Sequence, residues 1–394
     1  MTVKSIRDIE IRDKRLFVRV DFNVPLDESG TIRDDTRIRR AVPTIEFATK
    51  AGAKVILASH LGRPKGERKP GMSLEPVAAR LGEILGKEPV FVDDCVGEKV
   101  LSAAKAMERG DVLLLENLRF HGGETKNDPA FAKRLAEVAD VYVNDAFGTA
   151  HRAHASTVGI TEYVGEKVAG LLLKEELECL ERALSDPQRP VVALFGGAKV
   201  SDKLGVLRNL VGRIDCILIG GGMANTFLKA KGLDMGASRV EEDMISVAKE
   251  ILDAAESNDV QILLPVDAIT APKIAEDARA TAVYIDAVPE GEMALDIGTR
   301  TVSAFVEKIQ TAGTIVWNGP MGVFEMKQFK MGTFSISRAV ARSQAFTLVG
   351  GGDTVRAVHQ FGDADRISYI STGGGAFMEF MEGKTLPGVA ALQE

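Results

Sequence analysis

Cysteine is scarce: Cys95, Cys179 and Cys216 are the three in 394 residues. An odd, widely spaced set without metal-ligand spacing argues against a disulfide framework or a zinc motif, and all three are expected as buried thiols. No apolar run approaches the ~20 residues of a membrane span. The N-terminal stretch MTVKSIRDIEIRDKR lacks the apolar core of a secretion signal, so a cytoplasmic chain with no membrane partner is expected. Positive charge is not in excess. The net charge of −7 argues against a nucleic-acid binder that works through bulk charge. Familiar signatures are missing too. There is no GxxxxGK[ST] loop, no GxGxxG, no HRD or DFG pair, no GxSxG and no CxxC. Walker-type NTPases, protein kinases, serine hydrolases and dithiol enzymes are set aside, and a dinucleotide oxidoreductase is disfavoured.

What is present can bury real cores, since 45% of the residues are hydrophobic and 27% charged. A chain of 394 residues suits two domains of ordinary size. Residues 1–170 carry 27 Lys+Arg against 26 Asp+Glu, a net of +1, and residues 171–394 carry a net of −8. The more basic first half could receive an anionic substrate. Strand-like runs at 16–20, 54–58, 90–92, 112–115 and 141–143 alternate with helical stretches at 43–50, 74–85 and 129–139. The second half repeats the pattern, with strands at 191–195, 216–219, 261–264, 314–317, 346–349 and 367–370. Residues 165–184, GEKVAGLLLKEELECLERAL, read as one long helix ended by Asp186, Pro187 and Pro190. It is either the connector between two αβ blocks or one more packing helix. The expected fold class is α/β, with two doubly wound parallel-sheet domains.

In such sheets ligands bind beyond the carboxyl ends of the strands, so the residues just after each strand carry the argument. In the first half these include Asp21, Phe22, Asn23, His60, Leu61, Gly62, Arg63, Arg119 and Arg152, with Arg37 in the DDTRIRR stretch. Guanidinium groups bind phosphate and carboxylate oxygens bidentately, so these arginines are candidates for clamping a small, highly anionic molecule. Arg39 or Arg40 could take the role of Arg37. His60 either donates to the same anion or caps a loop. His151 and His154 could share a helix face, as a zinc pair or as anion- or solvent-facing groups, and no third zinc ligand stands out. His121 and His359 read as surface residues.

The second half supplies mostly glycine. At VVALFGGAKVSDKLGVLR (191–208) a strand gives way to Gly196 and Gly197, and then to a helix with Ser201 as its candidate cap. Glycines let backbone N–H groups approach an anion, the helix start adds positive dipole, and Lys199 and Lys203 add charge. That is either a nucleotide-phosphate site or an ordinary strand-to-helix turn. At 350–354, GGGDT, Asp353 either holds Mg²⁺ or caps a helix, and the two can coexist. Residues 372–375 form another glycine turn before a helix, a second candidate anion site.

Ten segments together closely resemble the phosphoglycerate kinase family: RVDFNVP (19–25), DDTRIRRAVPTI (34–45), SHLGRP (59–64), LLLENLRFH (113–121), VNDAFGTAHRAHAS (143–156), GGAKVSDK (196–203), GGGMANTFL (220–228), WNGPMGVFE (317–325), GGGDT (350–354) and STGGGA (371–376). They stand in the family's order over nearly the whole chain. The resemblance implies a monomer with two domains joined by a central hinge helix. Residues 1–170, with a returning segment 383–394, would bind 3-phosphoglycerate and 1,3-bisphosphoglycerate. Residues 171–382 would bind Mg²⁺ with ATP or ADP. It further implies that Asp21, Phe22, Asn23, Arg37, His60, Leu61, Gly62, Arg63, Arg119 and Arg152 hold the glycerate. Lys199, Lys203, Gly220, Gly221, Glu325, Gly351, Gly352, Asp353 and Thr354 would hold the nucleotide. Asp353 would serve the metal, and Arg37, Lys199 and Gly375 would act on the moving phosphoryl group. One departure is Ala294, where the family often has glycine, which puts a close backbone approach to adenine there in doubt. The other readings are a different small-molecule phosphotransferase on the same scaffold and a nucleotide-binding regulator without turnover.

Overall fold

A computed structural model describes residues 3–393. The chain divides into two compact units, Met1–Glu178 with Thr385–Glu394, and Cys179–Lys384. The first unit holds strands β1 (Arg15–Val20), β2 (Lys54–Ala58), β3 (Val90–Val92), β4 (Val112–Leu115), β5 (Val141–Asp145) and β6 (Glu166–Ala169). They form one parallel sheet in the order β3-β4-β2-β1-β5-β6. Its main helices are α1 (Thr36–Lys50), α2 (Glu75–Leu85) and α3 (Glu98–Ala106), followed by the short α4 (Gly122–Thr125) and α5 (Pro129–Ala136). Local chemistry sets several boundaries. Asp128 caps α5 by accepting the Phe131 N–H, with Pro129 in the first turn. Gly86, at φ +68°, ends α2 in the left-handed conformation. The central strands are apolar on both faces, as a sheet covered by helices on both sides requires. Leu16, Val18, Val55, Leu57, Leu114 and Val143 sit at the heart of the core.

The next helix, α6 (Leu171–Leu184), carries the division between the units, which falls between Glu178 and Cys179 and not at 170/171. The expected single helix over 165–184 needs correction. Residues 166–169 pair in parallel with β5 as the sheet's edge strand, and the helix begins only after Gly170. Asp145 sets that start. Its Oδ1 accepts the N–H groups of Leu172 (2.9 Å) and Leu173 (3.1 Å). Gly170 is required because a Cβ there would lie 2.2 Å from Asp145 Oδ1.

The second unit holds β7 (Val191–Phe195), β8 (Cys216–Ile219), β9 (Gln261–Leu263), β10 (Asp267–Ala271), β11 (Thr281–Tyr284), β12 (Met293–Ile297), β13 (Thr314–Asn318), β14 (Phe346–Gly350) and β15 (Tyr369–Ile370). Six of them make a second parallel sheet, β15-β14-β13-β7-β8-β9. The other three make an antiparallel sheet, β11-β10-β12, which the sequence reading missed. The helices are α7 (Leu204–Leu210), α8 (Gly221–Ala230), α9 (Ile245–Ser257), α10 (Thr299–Thr311), α11 (Met331–Arg342), α12 (Gly352–Gln360) and α13 (Gly374–Met381). Trp317, Phe305, Leu194, Leu218 and Ile336 centre the core.

After Lys384 the chain rejoins the first unit through α14 (Pro387–Ala390). Gly388 donates its N–H to Ala150 O (2.8 Å) and accepts from Asn144 Nδ2 (3.1 Å). Leu386, Val389 and Leu392 are buried there.

Candidate active site

In the first unit the chain leaves β1 at Asp21, β2 at Ser59, β4 at Glu116 and β5 at Ala146, all at one edge of the parallel sheet. Short polar contacts fix these loops together. Phe22 is buried and donates its N–H to Ser59 Oγ (2.8 Å). Asn23 Oδ1 accepts the Gly62 N–H (2.8 Å), and Asn117 Nδ2 donates to Leu61 O (2.7 Å). Arg119 Nη1 donates to Gly62 O (2.8 Å), and Arg37 Nη1 donates to Asp21 Oδ2 (2.8 Å). Asp21, Asn23, Arg37, Leu61, Gly62 and Arg119 are therefore joined through a few hydrogen bonds. Arg39 and Arg40 go elsewhere, to Asp35 and Glu175.

His60 is buried beside this group. Burial, followed by the charges of Arg19, Arg119, Arg152 and Arg37, holds its imidazole well below the ordinary histidine value. The ring is therefore neutral near pH 7. Arg19 Nη2 lies 3.2 Å from Nδ1, and an arginine can only donate, so the ring proton sits on Nε2. Burial also lowers Arg119 to about 10, helped by the charges of Arg152 and Arg19, and leaves it charged at neutral pH. A cavity of about 540 Å³ is lined by Arg63, Lys65, Arg119, Lys126, Arg152 and His154, with Gly66, Gly122 and Thr125, and no carboxylate lines it. His151 and His154 lie in a turn and not on a helix. His154 faces Glu124 at 3.7 Å, and burial, with Arg119 next, lowers it to about 4.

Sequence reasoning missed Arg19, which is fully buried on β1. It donates to Ser156 Oγ (2.9 Å), to Val20 O and towards His60. Its signal was an arginine inside an otherwise apolar strand. Lys65 and Lys126 were also missed, as single lysines in loops. Another grouping brings Asp94, Cys95 and His121 ligand atoms within 4.8 Å of one another. Each has a protein partner: His121 Nε2 meets Asp94 Oδ1 (2.7 Å), and the Cys95 thiol donates to Glu116 O (2.9 Å). His121 is thus half-buried, stacked on Phe131, and not the surface residue expected. Cys95 and Cys216 are buried, whereas Cys179 is only partly so.

In the second unit the glycine turns follow β7, β8, β13 and β14 at one edge of the sheet. Gly196 donates its N–H to Asn318 O (3.1 Å), Gly197 to Pro320 O (3.0 Å) and Met223 to Gly197 O (2.9 Å). Backbones approach so closely that a Cβ on Gly221 would meet Gly197 N at 2.7 Å. Lys203 Nζ donates to Asn318 Oδ1, and burial lowers its pKa against the pull of Asp202 and Asp353. Helix α7 begins at Leu204, so Ser201 is not its cap. The Ser201 hydroxyl instead donates to Glu241 Oε1 (2.6 Å), because the turn 198–203 extends further than the expected boundary.

Gly351, at φ +90°, turns the chain into α12. Thr354 is buried, and its Oγ1 accepts the Gly319 N–H (2.6 Å). Asp353 and Glu325 lie in the open and share Arg356, at 3.1 and 2.5 Å. Gly375 is exposed in the first turn of α13. A narrow pocket between α8 and β12 is lined by Gly221, Ala224, Asn225, Ala294, Leu295 and Met321 among others, so Ala294 does reach it.

Comparison with known proteins agrees over the full length. The family model described as phosphoglycerate kinase matches residues 6–384. A phosphoglycerate kinase of Moorella thermoacetica is 56% identical, covering 100% of both chains. One of Koribacter versatilis is 56% identical, covering 100% of this chain and 99% of its own. A solved structure of phosphoglycerate kinase from Coxiella burnetii superposes with a TM-score of 0.92 at 44% identity, covering 99% of both chains. Two parallel-sheet units, an arginine-lined edge, a glycine-lined edge and relatives matched end to end lead to one assignment: the chain belongs to the phosphoglycerate kinase family.

Proposed function

We propose that the family's reaction, reversible phosphoryl transfer between 1,3-bisphosphoglycerate and ADP, is divided between the two units. The first binds the glycerate through Asp21, Phe22, Asn23, Arg37, His60, Leu61, Gly62, Arg63, Arg119 and Arg152. The second binds the nucleotide. The observation that carries the reading is the surroundings of His60. A neutral ring is encircled by the charges of Arg19, Arg119, Arg152 and Arg37, and the charged side chains lining the adjoining cavity, Arg63, Lys65, Arg119, Lys126 and Arg152, are all cations. Such a cluster repels itself and is stabilised by a small polyanion.

On the other unit, Lys199 and Lys203 neutralise nucleotide phosphates, Gly351, Gly352 and Thr354 surround them, and Gly220 and Gly221 admit the base. Glu325 takes the ribose. An exposed Asp353 carboxylate fits Mg²⁺, which is commonly held by one or two carboxylates plus substrate phosphates. When bound, Mg²⁺ neutralises phosphate charge. The attacking groups, a phosphate oxygen or a carboxylate, are ionised at neutral pH, so no general base is required. Alignment and charge neutralisation suffice, supplied by Arg37, Lys199 and the N–H of Gly375 at the start of α13. Bending about α6 is the motion this division of labour requires, in a cytoplasmic monomer.

The test is ADP formation from ATP in the presence of 3-phosphoglycerate or other small carboxylates. Only 3-phosphoglycerate is expected to drive it. A response to a different carboxylate favours another phosphotransferase, and no turnover favours a nucleotide-binding regulator. Arg63→Ala is expected to weaken 3-phosphoglycerate about tenfold or more and spare ADP in calorimetric titration. Equal weakening of both would break the division.

A further inference from the structure

The stretch that carries Lys199 is anchored at both ends. Upstream, Gly196 and Gly197 donate to the backbone of Asn318 and Pro320 (3.1 and 3.0 Å). Downstream, Lys203 Nζ is bonded to Asn318 Oδ1. Between these anchors the chain forms neither helix nor strand. One side chain from 40 residues further along holds it there. Glu241 Oε2 accepts the N–H groups of Val200 (2.5 Å) and Ser201 (3.1 Å), and Oε1 accepts the Ser201 hydroxyl (2.6 Å). The backbone of Glu241 is tied in turn, donating its N–H to Thr226 Oγ1 (3.1 Å) on α8. That helix begins with the glycines packed against Gly197 and Ala198.

We propose that Glu241 is a positioning residue for phosphoryl transfer, holding the turn 199–201 so that Lys199 is aimed before the nucleotide arrives. The inference rests on the reading of Lys199 given above. Glu241 touches neither substrate nor reacting atoms in that reading and acts only through the turn. Three charge-assisted hydrogen bonds onto two successive residues fix the backbone of a segment that has few other restraints. Burial pushes the Glu241 carboxyl up, but the Ser201 hydroxyl, the two backbone N–H groups and the Lys199 ammonium outweigh it, and the net shift is downward. The group therefore stays ionised throughout the neutral range and contributes constant geometry, with no titration of its own near pH 7.

The separation of kcat from KM is what tells positioning from general support. In Glu241→Ala the turn loses its side-chain anchor, and kcat is expected to fall roughly ten- to a hundredfold, the order that follows a misplacement of about 1 Å. The KM for 3-phosphoglycerate is expected to stay within about twofold, because the glycerate residues belong to the other unit. Glu241→Gln keeps an acceptor oxygen for both N–H groups and is expected to recover most of kcat. Glu241→Ala in a Lys199→Ala background is expected to add little, since the two act through one geometry. An unchanged kcat in Glu241→Ala overturns the proposal. So does a parallel loss in both substrates with no recovery in Glu241→Gln, together with a lower melting temperature. If Lys199→Ala itself keeps its kcat, the reading of the site has failed. If only Lys199→Ala loses activity, the site stands and Glu241 has no part in it.

Discussion

Lys199 and Lys203 sit four residues apart in one turn, and their surroundings separate their tasks. Lys203 is half-buried, spends a hydrogen bond on Asn318 and has a pKa lowered chiefly by burial. Lys199 is half-buried too, with the Glu241 carboxylate as its charged neighbour. A group so placed can act mainly in the transition state. Lys199→Ala is therefore expected to lower kcat by roughly two orders of magnitude or more while 3-phosphoglycerate binding, read by calorimetry, stays nearly unchanged. Substantial retained kcat would remove Lys199 from that role. Most of these side chains could be picked out in the sequence because they follow apolar runs directly, where a parallel sheet exposes its ligand edge. The residues that hold them could not. Arg19 lies within a strand, Glu241 is 40 positions from the turn it grips, and neither distance is visible to spacing or periodicity.

Most strands of the two parallel sheets could be read because each is a short apolar run, and the central ones are buried on both faces. Strand β6 and the sheet β11-β10-β12 could not, because polar or charged residues break their apolar runs. β11 is mostly exposed and β6 is an edge. The antiparallel sheet carries a testable feature in Asp296 on β12. Its carboxylate accepts the Gly332 N–H (2.7 Å) in the first turn of α11 and its neighbour's, that of Ile297 (3.0 Å). Burial raises it to about 7 against both hydrogen bonds, from 3.8. A raised carboxyl stabilises the fold fully below its unfolded pKa, and that contribution is lost as pH rises through about 7. Wild-type protein is therefore expected to lose stability between pH 5 and 8 relative to Asp296→Asn, whose amide does not ionise. Thermal melts should show the difference between the two proteins shifting by roughly 5 °C over that range. Parallel curves would mean that Asp296 does not titrate there.

The order of the chain and the membership of its units disagree in one place. The second unit is a single continuous stretch, Cys179–Lys384, whereas the first is completed only by Thr385–Glu394. Those last residues do more than trail along the surface. Leu386, Val389 and Leu392 are buried, and Gly388 is bonded on both sides to Ala150 and Asn144. Close approach is why glycine stands there, since a Cβ would lie 3.1 Å from Ala150 Cα. Asn144 lies one residue before the end of β5, and Ala150 precedes His151 and Arg152, so the C-terminal segment supports the loop that brings Arg152 to the cation-lined cavity. Burying three aliphatic side chains is worth several kcal/mol, at ~1.5–3 kcal/mol each. A chain ending at Lys384 is therefore expected to unfold its first unit at a temperature lower by about 10 °C or more and to bind 3-phosphoglycerate weakly. Its second unit, whose own residues are all retained, is expected to keep its affinity for ADP. Hydrogen exchange resolved along the sequence gives the sharper answer: protection should drop in β1, β5 and the segment around Arg152, and persist in β7, β13 and β14. Uniform loss across both units, or none in the first, would show that the returning segment contributes nothing particular to the unit it joins.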